Sequence, residues 1–445
     1  MNNITINIPR GAAAIIDTLQ NNGFEAYLVG GCVRDSILKR PVHDWDITTS
    51  ATLDEMKKVF SDTKIIETGI KHGTLTILSI DGFYECTTYR IDGVYSDGRH
   101  PELAEYLKRR DSTINAMAYN DKEGLIDLFG GRLDLMDHVI RCVGNPEDRF
   151  KEDALRIMRA LRFAAQLEFD LEIKTKVAAF QMSDTLTKVS AERINSEFCK
   201  ILTQTMGRQI INDYREIIAV FIPEIRDMFD FEQNNPYHMF NVWDHTIEVL
   251  VRATLFMDPN SLVLVLAAFF HDIGKPHSYQ DGPDGIRHFY GHAAKSAEMT
   301  DSIMRRMRFN NSIREQVVTL VKYHDADIKP EAKYVKRWLN KLGSESLLKC
   351  LFMLKYSDIS GQVIKGRVEC LKKIDNLFAV LNDVLEQQAC FSLKDLAVNG
   401  DDLIAAGMKP GKEISIVLNR MLELVLNDKC VNDKDALLKA CLLYT

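Results

Sequence analysis

The sequence lacks paired cysteines, long apolar runs and an excess of positive charge, and each absence narrows the class of protein. Its nine cysteines are scattered singly, with no C-x-x-C pair. This pattern argues against a disulfide framework or a zinc cage and indicates reduced thiols. No stretch reaches about 18 uninterrupted apolar residues, so no membrane span is expected. The N-terminal segment contains no apolar signal core, and we therefore expect a cytoplasmic protein.

The charge balance also gives no sign of a general nucleic-acid binder. The net charge is −7, although binding depends on local patches more than on the total. One basic patch is expected between Arg305 and Lys341, where Lys and Arg outnumber Asp and Glu. The chain of 445 residues is 46% hydrophobic and 27% charged, which is ordinary for a globular protein of about three domains.

Periodicity divides the chain into an α/β head and a long helical remainder. Residues 10–21 show helical spacing, 26–29 form a buried strand, and residues 73–80 and 83–90 alternate in the manner of strands around an Asp81-Gly82 turn. From about residue 150 almost every periodic stretch is helical. We therefore predict an α+β fold, in which a small mixed-sheet head precedes an all-α neck, body and tail. The predicted domains are 1–145, 146–230, 231–360 and 361–445.

The most informative stretch runs from Leu28 to Ile47. Gly30 and Gly31 separate a strand from a short helix, a place where backbone N–H groups can approach a phosphate. Asp44 and Asp46 stand two apart at the expected start of the next strand, so both carboxylates should share a face. Such a pair suits Mg²⁺, which prefers carboxylate and phosphate oxygens. The alternative is a surface turn with two solvated aspartates.

Glu85 is a candidate third carboxylate. It lies on the strand at 83–90, and it would join Asp44 and Asp46 if the two strands are neighbours. Three converging carboxylates suit two Mg²⁺ ions that activate a hydroxyl and stabilise a leaving pyrophosphate. The alternative is an ordinary strand glutamate.

Arg109 and Arg110 precede a run, Ile114 to Ala118, that we predict to be helical. Arginines at a helix start oppose the helix dipole and need an anionic partner. A nucleoside triphosphate is one such partner, because guanidinium groups match phosphate geometry. A salt bridge to Asp111 or Glu105 is the alternative.

Residues 149–166 are predicted to form one helix with an unusual polar stripe. Asp153, Arg156, Arg159 and Arg162 recur every three residues, so the stripe winds by about 60° per step and the four cannot converge on one base. Asp153 and Arg156 are the best pair for a base edge, since Asp accepts from the exocyclic amine of cytosine or adenine and Arg donates to ring acceptors. An i,i+3 salt-bridged helix face is the alternative.

The head and neck motifs resemble those of the class II tRNA nucleotidyltransferases, the CCA-adding enzymes of the polymerase-beta-type superfamily, whose head bacterial poly(A) polymerases share. The resemblance rests on Gly30-Gly-Cys-Val-Arg-Asp35, Asp44-Trp-Asp46, Arg109 to Ala118, Glu152-Asp-Ala-Leu-Arg156 and Ser190 to Glu197. It implies a polymerase-beta-like head that adds C, C and A to the 3′ end of tRNA from CTP and ATP. Two departures stand out, because Lys39 replaces a usual glycine and Ser112 a usual phenylalanine.

The resemblance also implies roles for individual residues. Asp44, Asp46 and Glu85 would hold Mg²⁺, and the segment Asp97 to Pro101 resembles the loop that helps switch from C to A addition. Ser190 to Glu197 would brace the neck helix, and residues 391–414 resemble the C-terminal region that holds the tRNA elbow. The residues implied to contact the nucleotide are Gly31, Arg34, Arg110, Asp153, Arg156, Arg159 and Arg162. By geometry alone, Arg162 is the weakest of these base contacts.

A second group of residues, His245, His271-Asp272, His292, His324 and Asp358, has the spacing of the HD metal-dependent phosphohydrolases, which it resembles. We expect His245, His271, Asp272 and Asp358 to bind one metal, and imidazole with carboxylate suits Mn²⁺, Fe²⁺, Ni²⁺ or Zn²⁺. A buried histidine with an ordinary structural role is the alternative for each.

Four other activities stay open at this level. They are CC-only addition, A-only addition, poly(A) synthesis and phosphohydrolysis as the main reaction. The intact Asp97 to Pro101 motif favours full CCA addition, and the complete head motifs argue against a relic head.

Overall fold

The computed structural model describes residues 4–67, 73–89, 102–236, 239–256, 261–362, 366–387 and 390–442. The chain divides into two compact units, residues 1–221 and 222–445. In these described ranges no helix is long and apolar enough to cross a membrane.

The first unit contains the sheet. Its strands are β1 (Ala26–Val29), β2 (Ile47–Thr49), β3 (Ile65–Ile66), β4 (Thr74–Ser79), β5 (Gly82–Thr88), β6 (Met117–Asn120), β7 (Gly124–Asp127), β8 (Val139–Ile140) and β9 (Asp170–Leu171). Seven of them form one mixed sheet in the order β3-β4-β5-β2-β1-β6-β7, in which β2 and β5 are parallel and the other pairs antiparallel. The strands β8 and β9 form a separate parallel pair.

The helices of the first unit are α1 (Arg10–Asn21), α2 (Gly31–Ile37), α3 (Leu53–Val59), α4 (Leu103–Lys108), α5 (Gly131–Met136), α6 (Pro146–Glu152), α7 (Leu155–Leu167), α8 (Ile173–Gln181), α9 (Ala191–Leu202), α10 (Gly207–Asp213) and α11 (Arg215–Phe221), with 3₁₀ turns at Thr113–Asn115 and Ser183–Lys188. Helix α4 packs on the sheet through Leu103 and Leu107, which join a buried cluster with Tyr27, Val29 and Tyr89. This packing fixes the residues that follow α4.

Within its described residues, the second unit contains helices and one short strand pair, β10 (Gln280–Asp281) and β11 (Arg287–His288). Its helices are α12 (Val242–Ala253), α13 (Ser261–Phe270), α14 (His292–Arg306), α15 (Asn311–Tyr323), α16 (Ala332–Leu342), α17 (Glu345–Gly361), α18 (Arg367–Glu386), α19 (Gly400–Ala405), α20 (Lys412–Leu426) and α21 (Lys434–Leu442), with 3₁₀ turns at Pro223–Met228, Lys275–His277 and Leu393–Asp395. The predicted fold class, a mixed-sheet head followed by helices, is confirmed.

Candidate active site

The Gly30-Gly31 turn joins β1 directly to α2. Gly30 has φ +82°, and a Cβ placed there would lie 2.5 Å from Nη1 of Arg110. Only glycine satisfies both the positive φ and the close approach. Gly31 is the first residue of α2, so the turn brings Arg110 against the start of this helix.

The three predicted carboxylates lie near the start of β2. Strand β2 begins at Ile47, so the prediction that Asp44 and Asp46 lie within the strand is wrong, and both precede it. The condition set for Glu85 is met, because the two strands are neighbours and Ile47 pairs in parallel with Cys86. Since Ile47 and Cys86 are buried, the preceding Asp46 and Glu85 belong to the opposite face of the sheet.

Electrostatics links Asp46 to its neighbours. Burial raises the pKa of Asp46, Arg110 acts to lower it, and the charges of Glu85 and Asp44 raise it further. The ligand oxygens of the three carboxylates do not all lie within 4.8 Å of one another, so side-chain rotation would be needed for them to share an ion. Asp44 and Glu85 are exposed, which leaves their side chains free to rotate.

Arg110 lies at the end of a helix, and the predicted helix start after it is wrong. Arg109 is the C-cap of α4, Thr113–Asn115 is a single 3₁₀ turn, and residues 117–120 form strand β6. A cation at a helix C-terminus is favoured by the helix dipole. Arg110 donates through Nη2 to the Tyr106 hydroxyl at 2.8 Å and lies over its ring, with Cζ 5.2 Å from the centroid.

Asp111 connects the head to the neck. Its carboxylate accepts from Arg159 at 2.6 Å and from the Asn115 amide at 3.2 Å. Burial alone would raise the pKa of Asp111, but Arg159, Asn115 and Arg110 together lower it to about 2. The alternative prediction was a salt bridge from Arg110 to Asp111 or Glu105. In the structure Arg110 contacts Tyr106, and Asp111 pairs with Arg159.

The neck is two helices, and the single helix predicted over 149–166 is wrong. Helix α6 ends at Glu152, and Asp153 adopts an extended backbone with φ −151° and ψ 106°. Its carboxylate accepts from the Leu155 N–H at 3.1 Å, close to the start of α7. The side chain of Asp153 is therefore not on the helical stripe that its spacing suggests.

A cavity of about 560 Å³ opens between α4, the α6–α7 junction and α9. Asp153, Arg156 and Arg159 line it together with Arg110, whereas Arg162 does not. The other residues that line it are Tyr106, Arg109, Asp111, Glu152, Leu155 and Arg193. The break at Asp153 thus brings three of the four stripe residues to one site.

Arg156 and Arg193 are both held by side chains of the neck. Arg156 pairs with Glu152 at 2.7 Å and donates to the Arg109 carbonyl at 2.8 Å. Arg193 pairs with Asp153 at 2.7 Å. The predicted contact of the 190–197 segment with the neck helix is therefore present.

Arg34 and Arg162 have intramolecular partners. Arg34 is 4% exposed and donates to both carboxylate oxygens of Asp35, at 2.9 and 2.8 Å, and to Asn115 at 2.7 Å. Arg162 donates to Glu197 at 2.5 Å. Both guanidinium groups lie over the Phe163 ring, at 5.2 and 4.0 Å from its centroid.

Sequence reasoning missed Tyr106 and Phe163 as parts of this site. Tyr106 stands four residues before Arg110, a helical spacing that could have suggested the contact. Phe163 follows Arg162 and carries only the signal of an ordinary core residue. The predicted switching loop at Asp97 to Pro101 lies outside the described residues.

The second unit contains a buried histidine centre, which we define as His245, His271, Asp272, His292, His324 and Asp358. Two groups within it have ligand atoms that all lie within 4.8 Å: His245, His271 and Asp358, and Asp272, His292 and His324. The sequence prediction assigned Asp272 to the first group and omitted His292 and His324. Because α14 and the end of α15 approach Asp272, these two histidines join it in space.

Asp272 lies between the two groups. Its Oδ2 is 3.2 Å from His271 and 3.6 Å from His245, and its Oδ1 is 3.5 Å from His292 and 3.6 Å from His324. Lys275 Nζ is 2.6 Å from Oδ2. Burial would raise the pKa of Asp272, but His271 and Lys275 hold it well below its usual range.

Family models match three parts of the chain. The model described as the Poly A polymerase head domain matches residues 26–141, and the one described as probable RNA and SrmB-binding site of polymerase A matches 168–228. The model described as tRNA nucleotidyltransferase domain 2, putative, matches 289–441.

A relative from Lactobacillus helveticus, a CCA-adding enzyme, is 35% identical over 438 residues and covers 96% of this chain and 95% of its own length. The chain belongs to the family of CCA-adding enzymes. The predicted tRNA nucleotidyltransferase is confirmed, and phosphohydrolysis as the main activity is not favoured.

Two solved structures are similar to this chain. The CCA-adding enzyme of Bacillus stearothermophilus in complex with CTP is 26% identical, with a TM-score of 0.68 and coverage of 98% of this chain and 97% of its own. The Thermotoga maritima CCA-adding enzyme complexed with tRNA is 20% identical, with a TM-score of 0.61 and coverage of 97% and 94%. The second likeness concerns the fold alone.

Proposed function

We propose that this chain adds C, C and A in turn to the 3′ end of tRNA from CTP and ATP, without a nucleic-acid template, and releases pyrophosphate at each step. The observation that carries the proposal is the position of Arg110. This residue influences the Asp46 carboxylate and also lines the cavity that contains Asp153 and Arg156. Arg110 therefore links the carboxylates that would hold the metal ions to the basic cavity that would hold the nucleotide.

The acidic half fits a divalent cation. Asp44, Asp46 and Glu85 offer hard carboxylate oxygens. Burial is the main cause of the raised pKa of Asp46, and the charges of Glu85 and Asp44 add to it against the influence of Arg110. These residues would hold Mg²⁺. When bound, it would lower the pKa of the ribose 3′-hydroxyl and neutralise charge on the leaving pyrophosphate.

The basic half would bind and orient the nucleotide. Arg110 and Arg159 line the cavity as fixed guanidinium groups, which suit triphosphate oxygens. Arg34 and Arg162 are engaged with Asp35 and Glu197, so we assign them to supporting the cavity wall and adding positive charge. Gly31, the first residue of α2, supplies backbone next to Gly30, which is the glycine that Arg110 approaches. In-line attack of the tRNA 3′-hydroxyl on the α-phosphate then forms one phosphodiester bond and expels pyrophosphate.

Asp153 and Arg156 would select the base. A carboxylate accepts a hydrogen bond from the exocyclic amine that cytosine and adenine share, and uracil presents a carbonyl there instead. A guanidinium group donates to ring acceptors. Arg193 and Glu152, the present partners of Asp153 and Arg156, keep the two side chains at the cavity edge.

The four-part division of the chain forms part of the proposal. The head would span 1–145, the nucleotide-selecting neck 146–230, a helical body 231–360 and a tRNA-binding tail 361–445. The family matches at 26–141, 168–228 and 289–441 support the head, the neck and the C-terminal part.

The proposed function is tested with purified protein and end-labelled tRNA lacking CCA, incubated with CTP alone, with ATP alone or with both. We expect products two nucleotides longer with CTP alone and three longer with both nucleotides. Two added residues with both nucleotides would indicate CC-only addition, and a long ladder with ATP alone would indicate poly(A) synthesis. Either result would contradict full CCA addition.

A second candidate function is favoured by Asp272. Both of its carboxylate oxygens are buried without a well-directed hydrogen-bond partner, although four imidazoles lie within 3.6 Å. Lys275 supplies one cation, 2.6 Å from Oδ2, but Oδ1 faces the imidazoles of His292 and His324, where a coordinated metal ion would stabilise the buried carboxylate oxygen. We propose that the histidine centre binds transition-metal ions such as Mn²⁺, Fe²⁺, Ni²⁺ or Zn²⁺ and, with them, can hydrolyse a phosphoester.

The metal proposal is tested by metal analysis and thermal unfolding. Wild-type protein should retain the metal after desalting and unfold at a higher temperature with Mn²⁺ or Ni²⁺ than with chelator. Asp272→Asn should lose both effects, whereas His277→Ala, outside the centre, should keep them. Equal metal content in wild type and Asp272→Asn would contradict the site, and hydrolysis of bis(4-nitrophenyl) phosphate by wild type alone would support the activity.

A further inference from the structure

Phe83 is a large apolar side chain that is exposed close to the candidate metal site. It is 54% exposed, although its strand, β5, lies between two other strands of the sheet. Burial alternates along β5, because Tyr84 and Cys86 are buried whereas Phe83 and Glu85 are exposed. Successive strand residues point to opposite faces, so Phe83 and Glu85 share a face at a separation of about 7 Å. The ring therefore lies near a carboxylate that we assign to Mg²⁺ binding.

The β4–β5 hairpin that carries Phe83 is fixed at its turn. Its strands pair along six consecutive residue pairs. At the turn, the Asp81 carboxylate accepts hydrogen bonds from the Gly11 N–H at 3.1 Å and from the Tyr84 hydroxyl at 2.8 Å. The Ser79 hydroxyl donates to the Gly11 carbonyl at 3.1 Å. These contacts hold the turn against the start of α1, so the ring of Phe83 has a rigid support that reduces the ordering cost of binding.

The surroundings of the Phe83 ring are apolar on the side away from Glu85. Leu78 lies directly opposite Phe83 on β4 and is half-buried, and Ile80 at the turn is 76% exposed. In the part of the chain that the structure describes, no aromatic ring pairs with Phe83. A flat ring among apolar neighbours can stack on the face of any nucleobase, but it has no polar group that could read a base edge.

The reaction requires such a contact at this place. The 3′-hydroxyl of the tRNA must lie at the carboxylates, and the base on the same ribose then lies within one nucleotide of them. This terminal base changes during the reaction, because it is the last base of the unextended tRNA first and an added cytosine afterwards. A contact that holds the end must therefore tolerate different bases. Stacking does so, whereas hydrogen bonding to a base edge does not.

We propose that Phe83 stacks on the 3′-terminal base of the tRNA and so holds the terminal 3′-hydroxyl toward Glu85. This inference rests on the proposed function, and it adds a binding site for the end that is extended. Phe83 acts on the tRNA end and not on the incoming nucleotide, whose selection stays with Asp153 and Arg156. It takes no part in the chemical step.

The test is a double-mutant cycle between the protein ring and the RNA base. One substrate is tRNA lacking CCA, and the other is the same tRNA with its terminal base removed but its ribose 3′-hydroxyl kept. The kcat/KM for addition of the first C is measured for each. With wild type, loss of the base should lower kcat/KM by about 5- to 20-fold. Phe83→Leu should lower it similarly on the intact tRNA, and loss of the base should then cost less than about twofold more.

Two further variants serve as controls. Phe83→Trp keeps an aromatic ring, so it should retain both the activity and the penalty for the missing base. Ile173→Ala removes an apolar side chain that is 79% exposed on α8 and does not line the nucleotide cavity, and it should behave like wild type on both substrates. The KM for CTP should stay within about twofold of wild type in every variant, because the nucleotide binds in the cavity.

An equal penalty for the missing base in wild type and Phe83→Leu would overturn the proposal, even if that variant is less active, because the ring and the base would not interact. No penalty in wild type would overturn it as well. If Phe83→Leu folds poorly, Phe83→Thr repeats the test with a residue that suits an exposed strand position. Failure of the proposed function would be seen separately, as absence of CTP incorporation into intact tRNA by wild-type protein.

Discussion

Arg193 of α9 donates to the Asp153 carboxylate at 2.7 Å, and the other oxygen of that carboxylate accepts from the Leu155 N–H at 3.1 Å. To bind Asp153, the exocyclic amine of a base must therefore share an oxygen with one of these donors or replace that donor. The backbone contact is built into the start of α7, whereas Arg193 is half exposed and can turn away. Exchange of Arg193 for the base amine is the simpler way for Asp153 to take part in selection.

Asp153→Ala and Arg156→Ala should blur the choice of base. Each variant removes one partner of the base edge, so we expect UTP incorporation relative to CTP to rise by at least about tenfold. Lys151→Ala is the matched control, since it removes an exposed cation from α6 that does not line the cavity. Single-nucleotide extension with each of the four triphosphates measures the effect. Complete exclusion of UTP by both variants would show that side chains at these positions do not select the base.

Asp46→Asn should abolish nucleotide incorporation and yet stabilise the fold at neutral pH. The folded-state pKa of Asp46 lies above 3.8, so the folded chain binds more protons than the unfolded chain between 3.8 and that value. The free energy of unfolding contributed by Asp46 therefore falls as pH rises through this window, and the charged carboxylate is unfavourable above it. Removing the charge should raise the melting temperature by on the order of 1–2 °C at pH 7.5.

The exposed residue Asp62 provides the control for this experiment. Asp62→Asn should keep incorporation and leave the melting temperature unchanged, and Asp46→Asn should keep its affinity for tRNA. Asp44→Ala and Asp46→Ala should likewise lose incorporation but still bind tRNA. Near-wild-type CTP incorporation by either alanine variant would contradict the metal assignment.

The sequence predicted the sheet well because its signals are local. Helix α1, strand β1 and the hairpin of β4 and β5 have clear periodicity and turn residues. No sequence signal predicts the pairing of β2 with β5, which is only the condition under which Glu85 joins Asp44 and Asp46. The segment after Arg110 was misjudged, because Ile114 to Ala118 has no period that separates a helix from a buried strand. This segment forms strand β6 because it pairs with β1 and β7 in the sheet.

The neck shows why residue spacing alone mispredicted the position of Asp153 in the site. Glu152, Asp153 and Ala154 are compatible with a continuous helix, and the break depends on the contact of Asp153 with the Leu155 N–H and on its pairing with Arg193. The latter partner is 40 residues away in the chain. The histidine centre was incomplete for a similar reason, since the approach of His292 and His324 to Asp272 follows from helix packing.

Lys39→Gly should stabilise the protein without changing its activity. Lys39 has φ +56°, a left-handed conformation that favours glycine, and glycine is the residue that the family resemblance implies at this position. Relief of this strain, reduced by the larger unfolded-state entropy of glycine, should be worth about 0.5–1 kcal/mol. Lys39→Ala is the control, because alanine keeps the strain. A melting temperature raised equally by both substitutions would show that loss of the lysine side chain, and not the backbone, is responsible.

Phe163 should position the arginines of the nucleotide cavity. Its ring, 5% exposed, lies under three guanidinium groups, with centroid distances of 5.2 Å to Arg34, 5.5 Å to Arg159 and 4.0 Å to Arg162. Such a contact contributes about 0.5–1 kcal/mol at an exposed site and about 2 kcal/mol when it is desolvated. Phe163→Leu keeps an apolar core residue but removes the ring, so the guanidinium of Arg159 should lose its fixed orientation toward the cavity.

We therefore expect Phe163→Leu to raise the KM for CTP by roughly 5- to 20-fold, with a smaller effect on kcat, because the arginines bind the nucleotide but do not react. Phe163→Tyr retains the ring and should restore the KM to within about twofold. Phe198→Leu is the matched control, since Phe198 is also buried in the neck and packs edge to face on Phe221. Both leucine variants should lower the melting temperature by similar amounts, so a KM that rises equally in both would assign Phe163 a merely structural role.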